Sequence, residues 1–374
     1  MTRILHLRSS CGLYGAERAL LELAGATRGP YDAIIGSIVR PQREDVLGPE
    51  ARRRGLPTLR MESLGRIDWS SARALAQTAA LEGVGLLHAH DYKSLSLAAL
   101  IAPRLRIPAI ATFHGETGAT VALSLYEGVA RVLGNLTNGV AAVSEPLARK
   151  LRKWTRAAPV HFIPNGIPAG EPCTADERRA ARQHLAIPAD APVLAVIGRL
   201  SPEKGHAVLF QALKTISSRA TVLVAGDGPL ETALRVEAQG LDVRWLGFVE
   251  MTRPAYAAAD VVVMPSLTEG LPITALEAMA LGRTLVASSV GELPRMLAGG
   301  AGRLVPPGDV AALADALQGV LASAEEREAM VTRARERVRQ EYSIERTAER
   351  YARLLYAPAL ARGCARQVVE IGAS

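Results

Sequence analysis

The sequence predicts an α/β chain of two domains, each a parallel sheet with helices on both faces. Short β-branched runs alternate with helix-period stretches along almost the whole chain, the signature of strand–helix–strand units. The alternation occurs twice. Between the two series stands Ile163-Pro164-Asn165-Gly166-Ile167-Pro168, two prolines and an Asn-Gly, which is turn chemistry. A chain of 374 residues, 49% hydrophobic and 22% charged, can build two full cores. The expected division is 1–168, 169–342, and a closing helix with its tail over 343–374, the hinge lying near 164–172.

In the first half, Ile4-Leu5-His6-Leu7 reads as the opening strand, followed by the loop 9–16 (SSCGLYGA) and a helix over 17–26. A glycine-bearing strand-to-helix loop suits phosphate approach. Gly12 and Gly15 lack the G-x-G-x-x-G spacing, however, and a tight turn is the simpler reading of the loop alone. Further strands are expected at 33–39, 56–61, 85–90, 109–113, 139–143 and 160–163, with helices between them. Ligands of such sheets bind beyond the C-terminal ends of the strands. There fall the glycine loop, His88-Ala89-His90-Asp91, and Thr112-Phe113-His114-Gly115-Glu116. His88 and His90 share a strand face and Asp91 does not, which weighs against a metal set. His114 closes an apolar strand at a glycine, as a site residue or as a histidine satisfied by backbone. Ser144 is a fitting N-cap for the helix EPLARKLRKWTR. Leu147, Leu151 and Trp154 line one side of that helix among Arg149, Lys150, Arg152, Lys153 and Arg156. Such a stripe serves either a membrane surface or packing on its own domain. The cluster Arg52-Arg53-Arg54 is equally open.

In the second half, a strand over 193–197 enters Gly198-Arg199-Leu200-Ser201-Pro202-Glu203-Lys204-Gly205. Arg offers phosphate a planar fork and Lys a point charge. A strand over 221–225 leads to Gly226-Asp227-Gly228-Pro229, and one over 243–246 leads to Gly247-Phe248-Val249. The run Val261 to Met264 reads as a strand buried on both faces. Next come Glu269, Gly270-Leu271-Pro272 and a helix from Ile273 to Leu281, with Pro272 at the first helical position and Gly282 as the stop. Glu269 therefore precedes a helix N-terminus, whose free amides suit a phosphate. Glu277 lies within the helix, and a carboxylate can accept from two neighbouring hydroxyls, as on a ribose. A strand and turn at 302–309 and helices over 310–322, 325–341 and 344–356 complete the chain. The tail after 357 is expected to fray.

Together these strings resemble the retaining GT-B glycosyltransferases of family 4 (glycosyl transferases group 1). The resemblance covers most of the chain with its motifs in order. It implies two Rossmann-like domains whose sheets face a central cleft, the C-terminal helix crossing back to the first domain. It also implies a metal-independent retaining hexosyltransferase, moving a sugar from a nucleotide diphosphate-sugar to an acceptor hydroxyl in cell-surface glycan synthesis (lipopolysaccharide, exopolysaccharide or glycolipid). In the resemblance the loop of Gly15 lies beside the donor phosphates and acceptor, and His114, in T-x-H-G, sits near the transferred sugar. Arg199 and Lys204, in the string opened by Gly198, neutralise the leaving diphosphate, while Gly228 and Phe248 border the base. Glu269 contacts the sugar; Gly270, Leu271, Pro272 and Ile273 bind the donor; Glu277 holds the ribose hydroxyls. The catalytic set so implied is His114, Arg199, Lys204 and Glu269. Two positions depart from the pattern. Tyr14 replaces the first glycine of G-G-A-E and narrows the acceptor side, and Arg295 follows Gly291-Glu292-Leu293-Pro294 where a glutamate is usual.

No Asp-x-Asp occurs in the sequence, so no diphosphate–metal clamp and no cofactor is expected. The rival readings are a nucleotide-sugar epimerase and a non-catalytic partner protein of the same fold. Residues 1–168 carry 21 Lys+Arg against 13 Asp+Glu, whereas the remainder carries 23 against 24. The excess positive charge thus sits in the first half, suiting a lipid-linked or anionic glycan acceptor and an anionic membrane surface. Aromatic residues make up 4%, which argues against a base-stacking surface and hence nucleic acid. Three scattered cysteines and the absence of a leader-like or spanning apolar run suggest a cytoplasmic protein, peripheral at most on the inner face of the plasma membrane.

Overall fold

The computed structural model describes residues 1–9, 12–63, 69–115, 128, 132–216 and 219–362. The chain divides into two compact units, Met1–Pro168 with Ile344–Ser374, and Ala169–Ser343.

In the first unit the order is β1 (Thr2–Ser9), α1 (Gly15–Ala26), β2 (Tyr31–Val39), α2 (Leu47–Arg53), β3 (Thr58–Glu62), α3 (Trp69–Leu81), β4 (Val84–Ala89), α4 (Tyr92–Leu105), β5 (Ala109–Phe113), β6 (Gly139–Ala142), α5 (Glu145–Trp154) and β7 (Val160–Phe162). Its sheet is parallel, in the order β3-β2-β1-β4-β5-β6-β7. The winding reverses between β1 and β4, and ligands of open α/β sheets bind at such a reversal. Helix α1 starts at Gly15, two residues before the expected start, because the Glu17 side chain accepts from the Tyr14 amide and fixes the first turn. Much of the loop 9–16 is described, but Ser10, Cys11 and Glu116 lie outside the described residues.

The second unit runs α6 (Ala175–His184), β8 (Val193–Ile197), α7 (His206–Thr215), β9 (Thr221–Ala225), α8 (Glu231–Glu237), β10 (Val243–Gly247), α9 (Arg253–Ala258), β11 (Val261–Met264), α10 (Ile273–Ala280), β12 (Thr284–Ser288), α11 (Leu293–Met296), β13 (Arg303–Val305), α12 (Val310–Ala322) and α13 (Ala324–Glu341). The parallel order is β10-β9-β8-β11-β12-β13, reversing between β8 and β11. Strand β12 is absent from the sequence reading. Its five residues, all buried, follow a helix after one short turn, leaving too brief a run to separate from the helix before it.

Helix α14 (Ile344–Tyr351) belongs to the first unit, tied by Ile344 N to Ile167 O (2.9 Å) and Thr347 Oγ1 to Pro164 O (3.1 Å). It widens into a π-helical stretch over Ala352–Tyr356 and stays helical through residue 362 with Ala359 buried, so fraying does not begin at 357. The helix continues there because it still has an apolar seat, beside Ile4, Leu86, Ile110 and Ala141 of four adjacent strands. With i→i+5 spacing, Tyr351 and Tyr356 come to the same side, and both are buried with their rings stacked 5.9 Å apart.

Two surface features take the following form. Leu147, Ala148 and Leu151 of α5 are buried in the first unit's core, so the apolar stripe packs on its own domain. Trp154 alone of the stripe remains outside, 57% exposed. The arginine cluster is held by its own unit. Arg54 reaches Glu22 and Glu50 at 2.7 Å each, Arg53 pairs with Glu50, and Arg52 donates to Thr58.

Candidate functional site

In the second unit, the loops leaving β8, β9, β11 and β12 are fastened to one another by backbone. Leu200 is fully buried; its amide donates to Asp227 O and its carbonyl accepts from Leu230 N. Gly226 and Gly228 lie directly against this loop. A Cβ on Gly226 (φ 144°) would stand 2.0 Å from Gly198 O, and one on Gly228 would stand 2.4 Å from Leu200 O. Only glycine permits that approach. Leu267 N donates to Glu203 O and Glu292 N to Gly270 O, joining the β8 loop to the β11 loop and the β11 loop to the one after β12.

This framework places the charged groups. Lys204 Nζ donates to Glu269 Oε1 at 2.6 Å, and Ser266 Oγ donates to the same oxygen at 2.8 Å. Glu269 is largely buried while Lys204 keeps about a quarter of its side chain exposed. Two residues 65 positions apart thus meet across the reversal between β8 and β11. Arg199 is exposed on the same loop as Lys204, and Gly198 opens that loop, where a Cβ would touch Lys204 Cε. Pro272 is the residue before α10, with extended ψ of 123°, and not its first helical residue. Its backbone has not yet turned, so the free first-turn amides begin at Ile273. Gly270 and Leu271 form the turn ahead of them. Glu277, one turn into α10, accepts from Tyr256 Oη at 2.8 Å; that buried phenol also reaches Thr274 O at 3.1 Å. Helical side chains lean toward the N-terminus, so Glu277 is held on the side of the free amides. Phe248, 52% exposed, follows β10. Phe248, Gly228, Arg199, Lys204 and Glu269 therefore all sit beyond C-terminal strand ends of one sheet.

In the first unit, Gly15 opens α1. Arg8 Nε donates to Glu17 at 2.7 Å and its NH1 donates to His90 O at 2.7 Å. Asp91 accepts from Ser9 N and caps α4 through Ser94 N, so it serves the turns. His114 stands beside three other histidines. His6 Nδ1 lies 3.0 Å from His90 Nε2, and His90 Nδ1 lies 3.1 Å from His114 Nε2. His88 Nε2 lies 2.7 Å from Thr112 Oγ1, which is 3.0 Å from Tyr351 Oη, and Tyr356 Oη is 3.3 Å from His88 Nδ1. Burial pulls His6 and His114 down to about 3, and holds His88 and His90 well below the usual histidine range, aided by their neighbours. All four rings are neutral at pH 7. His6, His88 and His90 are the one group of three gathered metal-capable side chains among the described residues. His6 Nδ1 and both nitrogens of His88 and His90 already have hydrogen-bond partners, which leaves His6 Nε2 as the one nitrogen of the three rings without one among the described residues.

The sequence does not single out His6, Arg8, Tyr256 or Ser266, and it names Gly226 only as part of the loop of Gly228. His6 shares a strand face with Ile4, and no residue near it in sequence signals a partner. The others act through tertiary contacts.

Comparison with known proteins bears on both units. Residues 14–171 match the family model "Glycosyltransferase Family 4" and residues 191–323 match "Glycosyl transferases group 1". The chain is 32% identical over 340 residues to a phosphatidyl-myo-inositol mannosyltransferase of Mycobacterium leprae, covering 87% of this chain and 88% of that one. It is 33% identical to a D-inositol 3-phosphate glycosyltransferase of Saccharomonospora viridis, covering 71% and 68%. In fold it is similar to Anabaena HepE solved with UDP and glucose, with a TM-score of 0.84 at 22% identity over 95% of this chain and 99% of that one.

Proposed function

The chain belongs to glycosyltransferase family 4, of GT-B fold, and on that premise we propose that it moves a sugar, with retention, from a nucleotide diphosphate-sugar to a hydroxyl of a glycan or lipid-linked acceptor. The observation that carries this is the contact of Lys204 with Glu269 beside Arg199 and the α10 N-terminus. Cations and free amides so grouped suit a diphosphate, and a carboxylate among them suits the hydroxyls of a sugar. In the transfer, the acceptor oxygen bonds to C1 on the face from which the diphosphate departs. The C1–phosphate oxygen bond breaks, and the acceptor proton passes to a phosphate oxygen. Arg199, Lys204 and the α10 amides stabilise the negative charge that builds there. Glu269 orients Lys204 and contacts the sugar, and Glu277, steadied by Tyr256, takes the ribose hydroxyls.

The donor belongs to the second unit, and the acceptor to the more basic first. The mycobacterial and Saccharomonospora relatives are named for inositol-containing acceptors, which suggests a glycolipid or polyol acceptor. Among the described residues no helix is long and apolar enough to cross a membrane. Arg149, Lys150, Lys153, Arg156 and Trp154 form an exposed basic face on and just after α5 that suits an anionic bilayer.

The test is turnover of a nucleotide-sugar panel with inositol-type and lipid acceptors, in EDTA and in manganese, with the product anomer read by NMR. Retained configuration and nearly full turnover in EDTA are expected. An inverted product would remove the retaining mechanism, and activity only with manganese would remove the metal-free one. Donor interconverted without acceptor would favour an epimerase.

A further inference from the structure

We propose that His6 and His90 are positioning residues that hold His114 as a neutral ring carrying its proton on Nδ1, so that the first unit presents a hydrogen-bond donor at the end of β5 and not a base. The proposal rests on the assignment of His114 to the reacting sugar.

Two links make the chain, His6 Nδ1···His90 Nε2 and His90 Nδ1···His114 Nε2, at 3.0 and 3.1 Å. A neutral imidazole has one N–H and one lone pair. Each link needs one proton, and both links run from Nδ1 to Nε2. The three rings must therefore share a tautomer: all Nδ1–H or all Nε2–H. The chain's two end atoms, His6 Nε2 and His114 Nδ1, are buried without a hydrogen-bond partner among the described residues. Either tautomer leaves one N–H unpaired, but in different places. With all rings Nε2–H, the orphan donor is on His6, wholly inside the core. With all rings Nδ1–H, it is on His114 Nδ1, which is also buried but belongs to a partly exposed residue at the C-terminal end of β5, the side on which ligands of such sheets bind. An orphan buried N–H costs about 1–3 kcal/mol at either end, and only the one on His114 lies on the side where a bound substrate oxygen can relieve it, so donor binding selects the second arrangement. The enclosed His6 end also gives a proton no exit among the described residues, which argues against the chain acting as a relay.

The surroundings hold this state. Arg8 binds the His90 carbonyl and Glu17, and its positive charge opposes protonation of His90 and His114. His88, its ring tilted 34° against that of His90 with centroids 4.0 Å apart, is itself fixed by Thr112 and by Tyr356 of the closing helix. With Nε2 accepting from His90, His114 has no lone pair for the acceptor's proton and can only donate, to a sugar hydroxyl or a phosphate oxygen.

The test is long-range ¹⁵N–¹H NMR on the full chain labelled at its seven histidines, assigned by single substitutions, together with kinetics. With nucleotide-sugar bound, neutral Nδ1–H rings are expected at His6, His90 and His114. An Nε2–H ring or an imidazolium at His114 overturns the proposal. His90→Leu should lower kcat about 10²-fold, as a misplaced catalytic group does, with little change in donor KM and with a cooperative melt retained at a lower Tm. His90→Asn, whose amide can still donate to His114, should restore most of the rate. A folded His90→Leu at full kcat, where His114→Ala is impaired, refutes the positioning role. A silent His114→Ala sinks the assignment of His114 itself, and the proposal with it.

Discussion

The two sheets reverse their strand order at corresponding places and furnish the reversal in opposite ways. Between β1 and β4 the first unit packs four neutral histidines with buried hydroxyls around them. Between β8 and β11 the second unit sets an ion pair, an exposed arginine and a helix N-terminus on loops locked by glycine. Burial decides the difference. Rings sealed from water give up charge and keep direction, while groups on an open rim keep charge and can meet a charged ligand.

Acid should separate the two regions most strongly. The folded histidines lie below their unfolded pKa near 6.5, so their contribution is complete above about 6.5 and is lost as pH falls toward 3. Each ring that must stay neutral costs up to about 1.4 kcal/mol per pH unit in that window. The first unit has four such rings, whereas in the second only His206, down at about 4, is comparably buried. Melting scanned from pH 7 to 4 should show the first unit failing first; a first unit that outlasts the second would break the comparison. The charged rim is tested by Lys204→Ala, expected to lower kcat ~10²–10³-fold, about 2.7–4 kcal/mol, as loss of an oxyanion donor does. An undiminished kcat/KM would reduce Lys204 to a salt-bridge partner of Glu269.

Smaller effects sharpen the picture. Gly226→Ala must place a Cβ against Gly198 O at positive φ and should destabilise the second unit by about 1–3 kcal/mol, read as a lower Tm. An unaltered Tm would mean that the β8 and β9 loops are free to part. Tyr256→Phe removes the hydrogen bond to Glu277 and should cost about 0.5–1.5 kcal/mol of donor affinity; calorimetry that finds equal donor affinity would uncouple Glu277 from the ribose.

The sequence made legible whatever is contiguous. The alternation of patterns gave both sheets. G-R-L-S-P-E-K-G and the glutamates at 269 and 277 stood out only as whole strings that resemble a family's motifs, since a single Arg, Lys or Glu on a loop carries no such signal. Pairings across loops were not legible. Nothing near Lys204 in sequence names Glu269 as its partner, Gly226 gives no sign of the carbonyl that excludes a side chain, and His6 reads as one more strand residue until β4 lies beside it. Pro272 was placed one residue too far into its helix, since proline is equally at home just before and just inside a first turn. The stripe on α5 could not be assigned to core or membrane until Leu147 and Leu151 were seen to be covered.

The central claim is that the rim of the second sheet grips a diphosphate, and calorimetry of nucleoside mono- and diphosphates in EDTA tests it most directly. The wild-type chain should bind at least one diphosphate about tenfold or more tighter than its monophosphate, ~1.4 kcal/mol, and Lys204→Ala should abolish that gap. Equal affinity for mono- and diphosphates, or a gap that survives in Lys204→Ala, would contradict the account.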